Sequence, residues 1–309
     1  MLAKSVVRSL GPAVGAYLQL PGGWFRNNAG WISGDEQTLV VDTCATEART
    51  RQLLAMARAR SARTAARSSG ALPSGPSTTA VLTHAHGDHC NGAGLISGEG
   101  GSVLASAAAA PHVEAGPQTF PSAFRCDTWG ELPAAAITDT VTEPRRIELG
   151  RVEADVLPAP TTAHTDGDLV VWCPRDGVLF TGDLLFSGVT PLGLHGSILG
   201  WLDALDWLDR FDAARIVPGH GPIATDSGPI TALRDYFRWL LDNTCGSSEP
   251  DFASLQAQAR KRWPHWIDAE RHAANLRVAH AETRGRSAEP EQLVDALLRA
   301  AGGPITLDL

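Results

Sequence analysis

The stretch Thr83-His84-Ala85-His86-Gly87-Asp88-His89 places three histidines and one aspartate within six positions. Residues 79–83 are an apolar β-forming run, so the cluster stands at the carboxyl end of a predicted strand. In extended backbone the side chains of His84 and His86 point to the same side. A turn through Gly87 then lets Asp88 and His89 reach a neighbouring point. Because imidazole nitrogens and carboxylate oxygens are ligands that zinc accepts, the spacing predicts one loop that feeds two metal positions.

The composition is that of an acidic globular protein. Its 309 residues are 43% hydrophobic, enough to bury a sizeable core. The 34 acidic residues exceed the 26 basic ones, giving a net charge of −8, and no dense Lys/Arg run is present, which argues against nucleic acid as a partner. The five cysteines are widely spaced, which favours reduced thiols over a disulfide framework. Neither a signal peptide nor an apolar span of ~20 residues is visible, so we expect a cytoplasmic protein without membrane contact.

Strand-like runs that end in polar loops recur along the chain. They are predicted at residues 37–41, 79–83, 102–106, 152–157, 168–173, 177–180 and 215–217. Helices are predicted at residues 45–58 and 200–211, and a mobile surface loop at the Ser-, Gly- and Pro-rich residues 61–79. Strand ends of α/β sheets are where ligands bind, so this repeat predicts a site built from several loops.

Three further ligand candidates, His164, Asp183 and His220, lie in predicted loops beside these strands. Each alone is equally compatible with an ordinary loop histidine or a turn aspartate. Their order along a repeated strand-loop pattern favours a shared site. Asp42, at the end of the strand 37–41, is a candidate for orienting a ligand imidazole or the 84–89 loop, with a turn-capping aspartate as the alternative.

The chain becomes helical from Ile230 onward. Helices are predicted at residues 230–241, in a segment that starts at Pro250, at 267–282 and at 290–301, the last closed by Gly302 and Gly303. We therefore divide the chain into a catalytic domain, 1–228, and a helical extension, 229–309, that packs near the site. We expect this extension to supply a wall of the substrate pocket that is rich in tryptophan: Trp239, Trp263 and Trp266.

The complete pattern resembles the metallo-β-lactamase superfamily. The pattern is His-x-His-x-Asp-His, then a distant histidine, an aspartate and a final histidine, and the resemblance covers roughly residues 18–222. It implies an α/β fold, a four-layer αββα sandwich, here with a C-terminal helical extension. It also implies two zinc ions per chain, with iron or manganese as alternatives. The implied ligands are His84, His86 and His164 for one metal, Asp88, His89 and His220 for the other, and Asp183 as the bridge.

Details of the pattern indicate which branches of the superfamily the chain resembles. The bridging position is Asp183, where many β-lactamases of this fold have cysteine, and this resembles glyoxalase II and its relatives. Segments at residues 21–24, 28–30, 41–43, 196–197 and 275–276 further resemble the cyclase branch, which includes bifunctional cyclase–thioesterases of aromatic polyketide biosynthesis. The resemblance implies a hydrolase for an ester or thioester, with a small-molecule or carrier-bound acyl substrate.

The expected chemistry is attack on a carbonyl by a water whose pKa two metals lower toward ~7. Asp88 or Asp183 would orient the nucleophile, and His195 would be an acid or a substrate contact, with a plain loop histidine as its alternative. A flat aromatic substrate would need aromatic side chains to stack against. The candidates for this role are Trp24, Trp31 and Trp201, with core packing as the alternative.

Other functions of the same fold remain open at this stage. They are a β-lactamase-like hydrolase, a phosphodiester hydrolase and a non-hydrolytic metal-binding module that holds iron. The acidic balance argues against the phosphodiesterase, and the retained His86 and His89 argue against the iron module. The sequence determines neither the acyl group, nor its carrier, nor the oligomeric state.

Overall fold

The computed structural model describes residues 5–35, 37–69, 77–246 and 249–309. In chain order its strands are β1 (Val6–Ser9), β2 (Val14–Leu18), β3 (Ala29–Ser33), β4 (Gln37–Val41), β5 (Ser77–Val81), β6 (Ser102–Ser106), β7 (Phe124–Arg125), β8 (Asp139–Val141), β9 (Arg145–Glu148), β10 (Glu153–Pro158), β11 (Leu169–Cys173), β12 (Val178–Phe186), β13 (Arg215–His220) and β14 (Ile305–Thr306). Its α-helices are α1 (Glu47–Ser69), α2 (Gly87–Cys90), α3 (Ala93–Gly98), α4 (Ala110–Glu114), α5 (Ile198–Leu208), α6 (Gly228–Thr244), α7 (Phe252–Arg262), α8 (His272–Glu282) and α9 (Pro290–Ala301).

Two large sheets contain most of these strands. The first has the spatial order β1-β2-β3-β4-β5-β6-β8 and the second the order β13-β12-β11-β10-β9. Strands β4, β5, β6 and β8 run parallel in the first sheet, as do β12 and β13 in the second. The carboxyl ends of β4, β5 and β13 meet at one edge of the molecule, so that edge is where loops from both sheets converge.

The strand residues alternate between two buried faces. In β4, Leu39 and Val41 pack between the two sheets, whereas Val40 faces Leu53 of α1. In β12, Phe180 lies between the sheets, and Leu179 packs on the opposite side with helices α5, α6 and α8. Strands buried on both faces are continuous apolar runs, which is why these segments were readable as strands. The layers are therefore helix, sheet, sheet and helix, and the predicted αββα sandwich is confirmed.

Residues beyond 228 belong to the outer helical layer. Leu233 and Phe237 of α6, Leu276 of α8 and Leu293 of α9 pack in one cluster with Trp201 of α5. The extension thus shares its apolar core with the second sheet, and its first helix, α6, begins at Gly228. In the described part of the chain, no helix combines the length and hydropathy needed to cross a membrane.

Two expectations about local structure were wrong. Helix α1 runs to Ser69, so residues 61–69 are helical instead of a loop, because the Ala- and Arg-rich sequence favours helix. The next part of the predicted loop, residues 70–76, lies outside the described residues, and β5 begins at Ser77. Asp183 lies inside β12, not in a loop, because the apolar run 184–186 continues the strand past Gly182.

Candidate metal centre

The seven candidate ligands meet where the two sheets converge. The loop after β5 leads into the short helix α2, with His86 at its N-cap. His220 is the last residue of β13, and β12 beside it carries Asp183 next to a shift in strand register. His164 lies in the turn before β11, whose first residue donates a hydrogen bond to the Thr83 carbonyl. Each ligand is therefore positioned by the end or the irregularity of a strand.

The ligand atoms form two groups, and within each group they lie within 4.8 Å of one another. We call the first, with His84, His86 and His164, the three-histidine group. We call the second, with Asp88, His89 and His220, the aspartate–histidine group. Asp183 completes the first group and also contacts the second. The structure thus brings together all seven residues in the two sets that the resemblance implied.

The Asp183 carboxylate faces the two groups with different oxygens. Its Oδ2 lies 3.4 Å from His164 Nε2 and 3.9 Å from His84 Nε2. Its Oδ1 lies 3.1 Å from His89 Nε2 and 3.4 Å from His220 Nε2. This is the geometry of a carboxylate shared by two neighbouring cation positions.

Several atoms that point into the centre have no hydrogen-bond partner. They are His84 Nε2, and also His89 Nε2 and Asp183 Oδ1, which lie 3.1 Å apart but lack the geometry of a hydrogen bond; each is buried from solvent. A buried polar atom without a partner costs roughly 1–3 kcal/mol, so convergence of several such atoms needs an explanation. Divalent metals, typically zinc, accept this set of nitrogen and oxygen donors, and a bound ion would satisfy these atoms. The residues present therefore fit a metal.

Asp42 positions a histidine of each group, directly or through Thr83, from the side away from the centre. Its Oδ2 lies 2.8 Å from His89 Nδ1 and accepts a hydrogen bond from Thr83 Oγ1, also at 2.8 Å. Its Oδ1 accepts from the Thr83 backbone N–H. Thr83 Oγ1 in turn lies 3.0 Å from His84 Nδ1. These contacts leave the Nε2 atoms of both imidazoles free to face the centre, so Asp42 orients a ligand and also holds the motif loop, the two roles expected for it.

Two further ligands are held by different means. His220 Nδ1 lies 2.8 Å from the Gly22 carbonyl oxygen, and its ring is stacked on Phe186 at 5.1 Å. His164 packs edge-on against Trp201 at 5.1 Å. The backbone at Gly219 passes so close that an added Cβ would lie 1.9 Å from Asp183 Oδ1, so only glycine fits beside the shared carboxylate.

The two groups differ in their electrostatics. Burial lowers the pKa of all three histidines in the first group well below 6.5. Burial alone would also lower the pKa of His220, but the Asp183 and Asp88 carboxylates outweigh it and raise the pKa to about 9. The pKa of His89 is likewise raised, against burial, by Asp183, Asp42 and Asp88. Without metal, the first group is neutral imidazole and the second is a network of histidine–carboxylate pairs.

His195 lies beside the centre on the rim of a large cavity. Its Nδ1 is 2.9 Å from His86 Nε2, and both side chains line the cavity. The loop before His195 is tied to the helical extension, because Asn275 accepts a hydrogen bond from Gly193 N and donates one to the Pro191 carbonyl. Residues 278–293 of the extension form part of the cavity lining.

The tryptophan wall expected from the helical extension was wrong, whereas the core-packing role weighed for Trp31 and Trp201 is confirmed. Among the residues described as lining the cavity, there is no tryptophan. Trp31 and Trp201 are almost fully buried, and Trp24 packs under the Arg271 guanidinium. In the extension Trp263 and Trp266 pack against Tyr236, and Trp239 packs against Trp263, so these side chains contact one another and not the cavity.

Sequence reasoning missed Thr83 and Gly22, which contact ligand imidazoles. Thr83 directly precedes the first histidine. In extended backbone neighbouring side chains point to opposite sides, so the sequence could have indicated that Thr83 lies behind the ligands. Gly22 contributes only a backbone carbonyl, some 200 positions from its partner, and no sequence signal marks it.

Comparison with known proteins bears directly on this centre. The sequence model of the metallo-β-lactamase superfamily matches residues 22–220, which is more than half of the chain and includes all seven candidate ligands. The chain belongs to the metallo-β-lactamase superfamily. A comparison with curated protein sequences gives no match.

Solved structures agree on the fold. A metallo-β-lactamase from Pontibacter korlensis is 18% identical, with a TM-score of 0.58 over 76% of this chain and 99% of its own. One from Erythrobacter litoralis is 18% identical, with a TM-score of 0.58 over 77% of this chain and 98% of its own. The metallo-β-lactamase DIM-1 is 17% identical, with a TM-score of 0.58 and coverage of 77% and 99%. At such low identity the likeness shows the superfamily fold and no particular substrate.

Proposed function

We propose that this protein is a hydrolase that holds two zinc ions and cleaves an ester or thioester. The observation that carries the proposal is the Asp183 carboxylate, whose two oxygens face two separate histidine groups. A shared oxygen ligand is what brings two metals to one reacting carbonyl in two-metal hydrolases. Members of the superfamily are mostly hydrolases, which supports this reaction class.

Asp88 and His195 would have separate roles beside the bound metals. When bound, the two metals would supply Lewis acidity and lower the pKa of a water toward neutrality. Asp88 is only partly buried and lies 3.1 Å from His220, so it would hold the proton of an attacking water and orient it. His195 would keep His86 in place through its hydrogen bond and contact the substrate in the cavity.

The proposed substrate is an acyl thioester or ester, free or attached to a carrier. A thiolate leaves more readily than an amine, so a thioester needs less help from a general acid, the role for which His195 is a candidate. The net charge of −8 offers little to neutralise successive phosphates, which disfavours phosphodiesters. A ring-forming step on a polyketide chain would use the same centre, but the tryptophans expected to stack on such a chain are not among the described lining residues.

Parallel assays test this proposal. Zinc-loaded protein is incubated with an acyl thioester, a chromogenic cephalosporin and bis-nitrophenyl phosphate, and products are checked by mass for cyclisation. We expect the highest kcat/KM for the thioester, and loss of that activity in His86→Ala but not in a surface control, Asp203→Ala. A higher kcat/KM for either of the other two substrates would overturn the proposed substrate.

A further inference from the structure

A large cavity opens beside the metal centre. Its volume is about 1180 Å³, and His86 and His195 lie on its wall. Three parts of the chain enclose it, within residues 109–121, 162–199 and 278–293. Pockets for drug-sized ligands are about 300–1,000 Å³, so this cavity is far larger than a small acyl group such as acetyl requires.

Two large apolar side chains are exposed inside this cavity. Phe120 is 45% exposed and Leu199 is 50% exposed, and both line it. In the described part of the chain, the other large hydrophobic residues with comparable exposure are Val7 and Met56, which line a small separate depression. Single exposed apolar side chains are ordinary, but two in one cavity beside a reactive centre mark a surface that binds an apolar group.

The backbone holds Phe120 in a costly conformation. Its φ is +44°, a region that side chains larger than glycine rarely occupy. Such a conformation is unfavourable and is found mostly at functional sites. The Phe120 carbonyl accepts hydrogen bonds from the backbone N–H groups of Ala123 and Phe124, which fixes the turn that presents the ring.

Leu199 is fixed from the helical extension. It lies in the first turn of α5, where Glu282 of α8 accepts hydrogen bonds from the N–H groups of Ile198 and Leu199 at 2.9 and 3.1 Å. The Glu282 carboxylate therefore already occupies the positive end of this helix. An anionic group of a ligand is not needed there, and the Leu199 side chain remains as the feature that α5 offers to the cavity.

We propose that the cavity selects substrates with a bulky apolar acyl group, and that Phe120 and Leu199 are the residues that contact it. This inference rests on the proposed function, because it places the acyl carbonyl at the metal centre. The remaining apolar lining supports it, with further contacts from Leu194, Val278 and Leu293. A small acyl group would leave most of this surface without partner atoms and would gain little binding energy from it.

Binding of neutral amides separates this inference from catalysis. Isothermal titration calorimetry on the zinc-loaded full chain compares 2-naphthamide, a bulky acyl group without a thioester bond, with acetamide. We expect 2-naphthamide to bind at least about 100-fold more tightly, since each buried CH₂ contributes roughly 0.8 kcal/mol. Phe120→Ala and Leu199→Ala should each weaken it by about tenfold, and the exposed control Met56→Ala should not change it.

Folding of each variant is checked by its thermal unfolding midpoint, and Phe120→Leu serves as a second variant that keeps an apolar side chain. Equal affinity of wild type, Phe120→Ala and Leu199→Ala, or equal binding of the two amides by the wild type, would overturn the inference. Tight 2-naphthamide binding without thioester hydrolysis would leave the inference standing and contradict the proposed function. Thioester hydrolysis with the same kcat/KM for small and bulky acyl groups would support the proposed function and contradict the inference.

Discussion

The two ligand groups that share Asp183 differ in what holds their histidines. In the aspartate–histidine group, His89 is held by the Asp42 carboxylate and His220 by the Gly22 carbonyl. In the three-histidine group, His84 is held by the Thr83 hydroxyl and His86 by His195 at the cavity rim. The aspartate–histidine group is therefore held by one buried carboxylate and one backbone carbonyl, and the three-histidine group by neutral side chains, one of which is exposed.

The two groups also differ in the direction in which the pKa of their histidines is shifted. The nearby carboxylates of Asp88 and Asp183 raise the pKa of His89 and His220, while burial lowers the pKa of the other three histidines. Asp183 is what the two groups share, since it contacts both. A single centre is thus assembled from one neutral half and one charged half.

Removal of the shared carboxylate should have the largest effect. Asp183→Ala takes a ligand from both groups, so we expect loss of bound metal from both and a fall in kcat of several orders of magnitude, because the nucleophile depends on the metals. Metal content by mass spectrometry and steady-state kinetics measure this. Two metals per chain in this variant would contradict the shared role of Asp183. The surface control, Asp203→Ala, should behave as wild type.

Metal binding should depend on pH in one group and not in the other. The raised pKa of His220, about 9, means that the metal-free protein holds a proton there at neutral pH, and binding must release it. Because the pKa of His89 is raised as well, zinc affinity of the aspartate–histidine group should rise by at least about tenfold per pH unit from pH 7 to 9. The three-histidine group is already deprotonated above pH 6.5 and should show no such rise. Calorimetry in buffers of different ionisation enthalpy counts the protons; equal release in both steps would contradict this account.

Variants behind the ligands should separate the two groups. Asp42→Asn removes the charge that faces His89, and we expect a ten- to hundredfold loss of affinity in the aspartate–histidine group, with a smaller loss in the three-histidine group because Asp42 also accepts from Thr83. Thr83→Val removes the hydroxyl beside His84 and should weaken the three-histidine group instead. Competition with a chelator of known affinity measures both steps. A greater loss in the three-histidine group from Asp42→Asn than from Thr83→Val would contradict this assignment.

The smallest effect is expected at the exposed contact. His195→Ala leaves His86 Nε2 without its protein partner, so the affinity of the three-histidine group should fall by about tenfold at most. The control is His112→Ala, a histidine that lines the same cavity, and metal affinity should not change there. An equal loss in both variants would assign the effect to the cavity as a whole.

Sequence alone predicted the parts of the molecule that are decided locally. Strands such as Gln37–Val41 and Ser102–Ser106 were found because buried strands are short apolar runs. The cluster at residues 84–89 was recognisable because its spacing within one loop is meaningful without knowledge of the fold. Asp42 was found because it follows such a strand directly.

The parts that were missed depend on long-range packing. The side on which Trp263 and Trp266 pack is set by contact with Tyr236 of α6, which residue type does not reveal. The position of His195 depends on Asn275, 80 residues further along the chain, through its hydrogen bonds to the preceding loop. Phe120 and Leu199 became recognisable only when their exposure and the cavity were known together.

Anomalous diffraction from a zinc-loaded crystal, collected on both sides of the zinc absorption edge, tests the central claim most directly. Two-metal hydrolase sites hold their ions about 3.5–4 Å apart. The account predicts two zinc peaks, one at the three-histidine group and one at the aspartate–histidine group, each in contact with a different oxygen of Asp183. A single peak, or two peaks of which one does not contact Asp183, would contradict it.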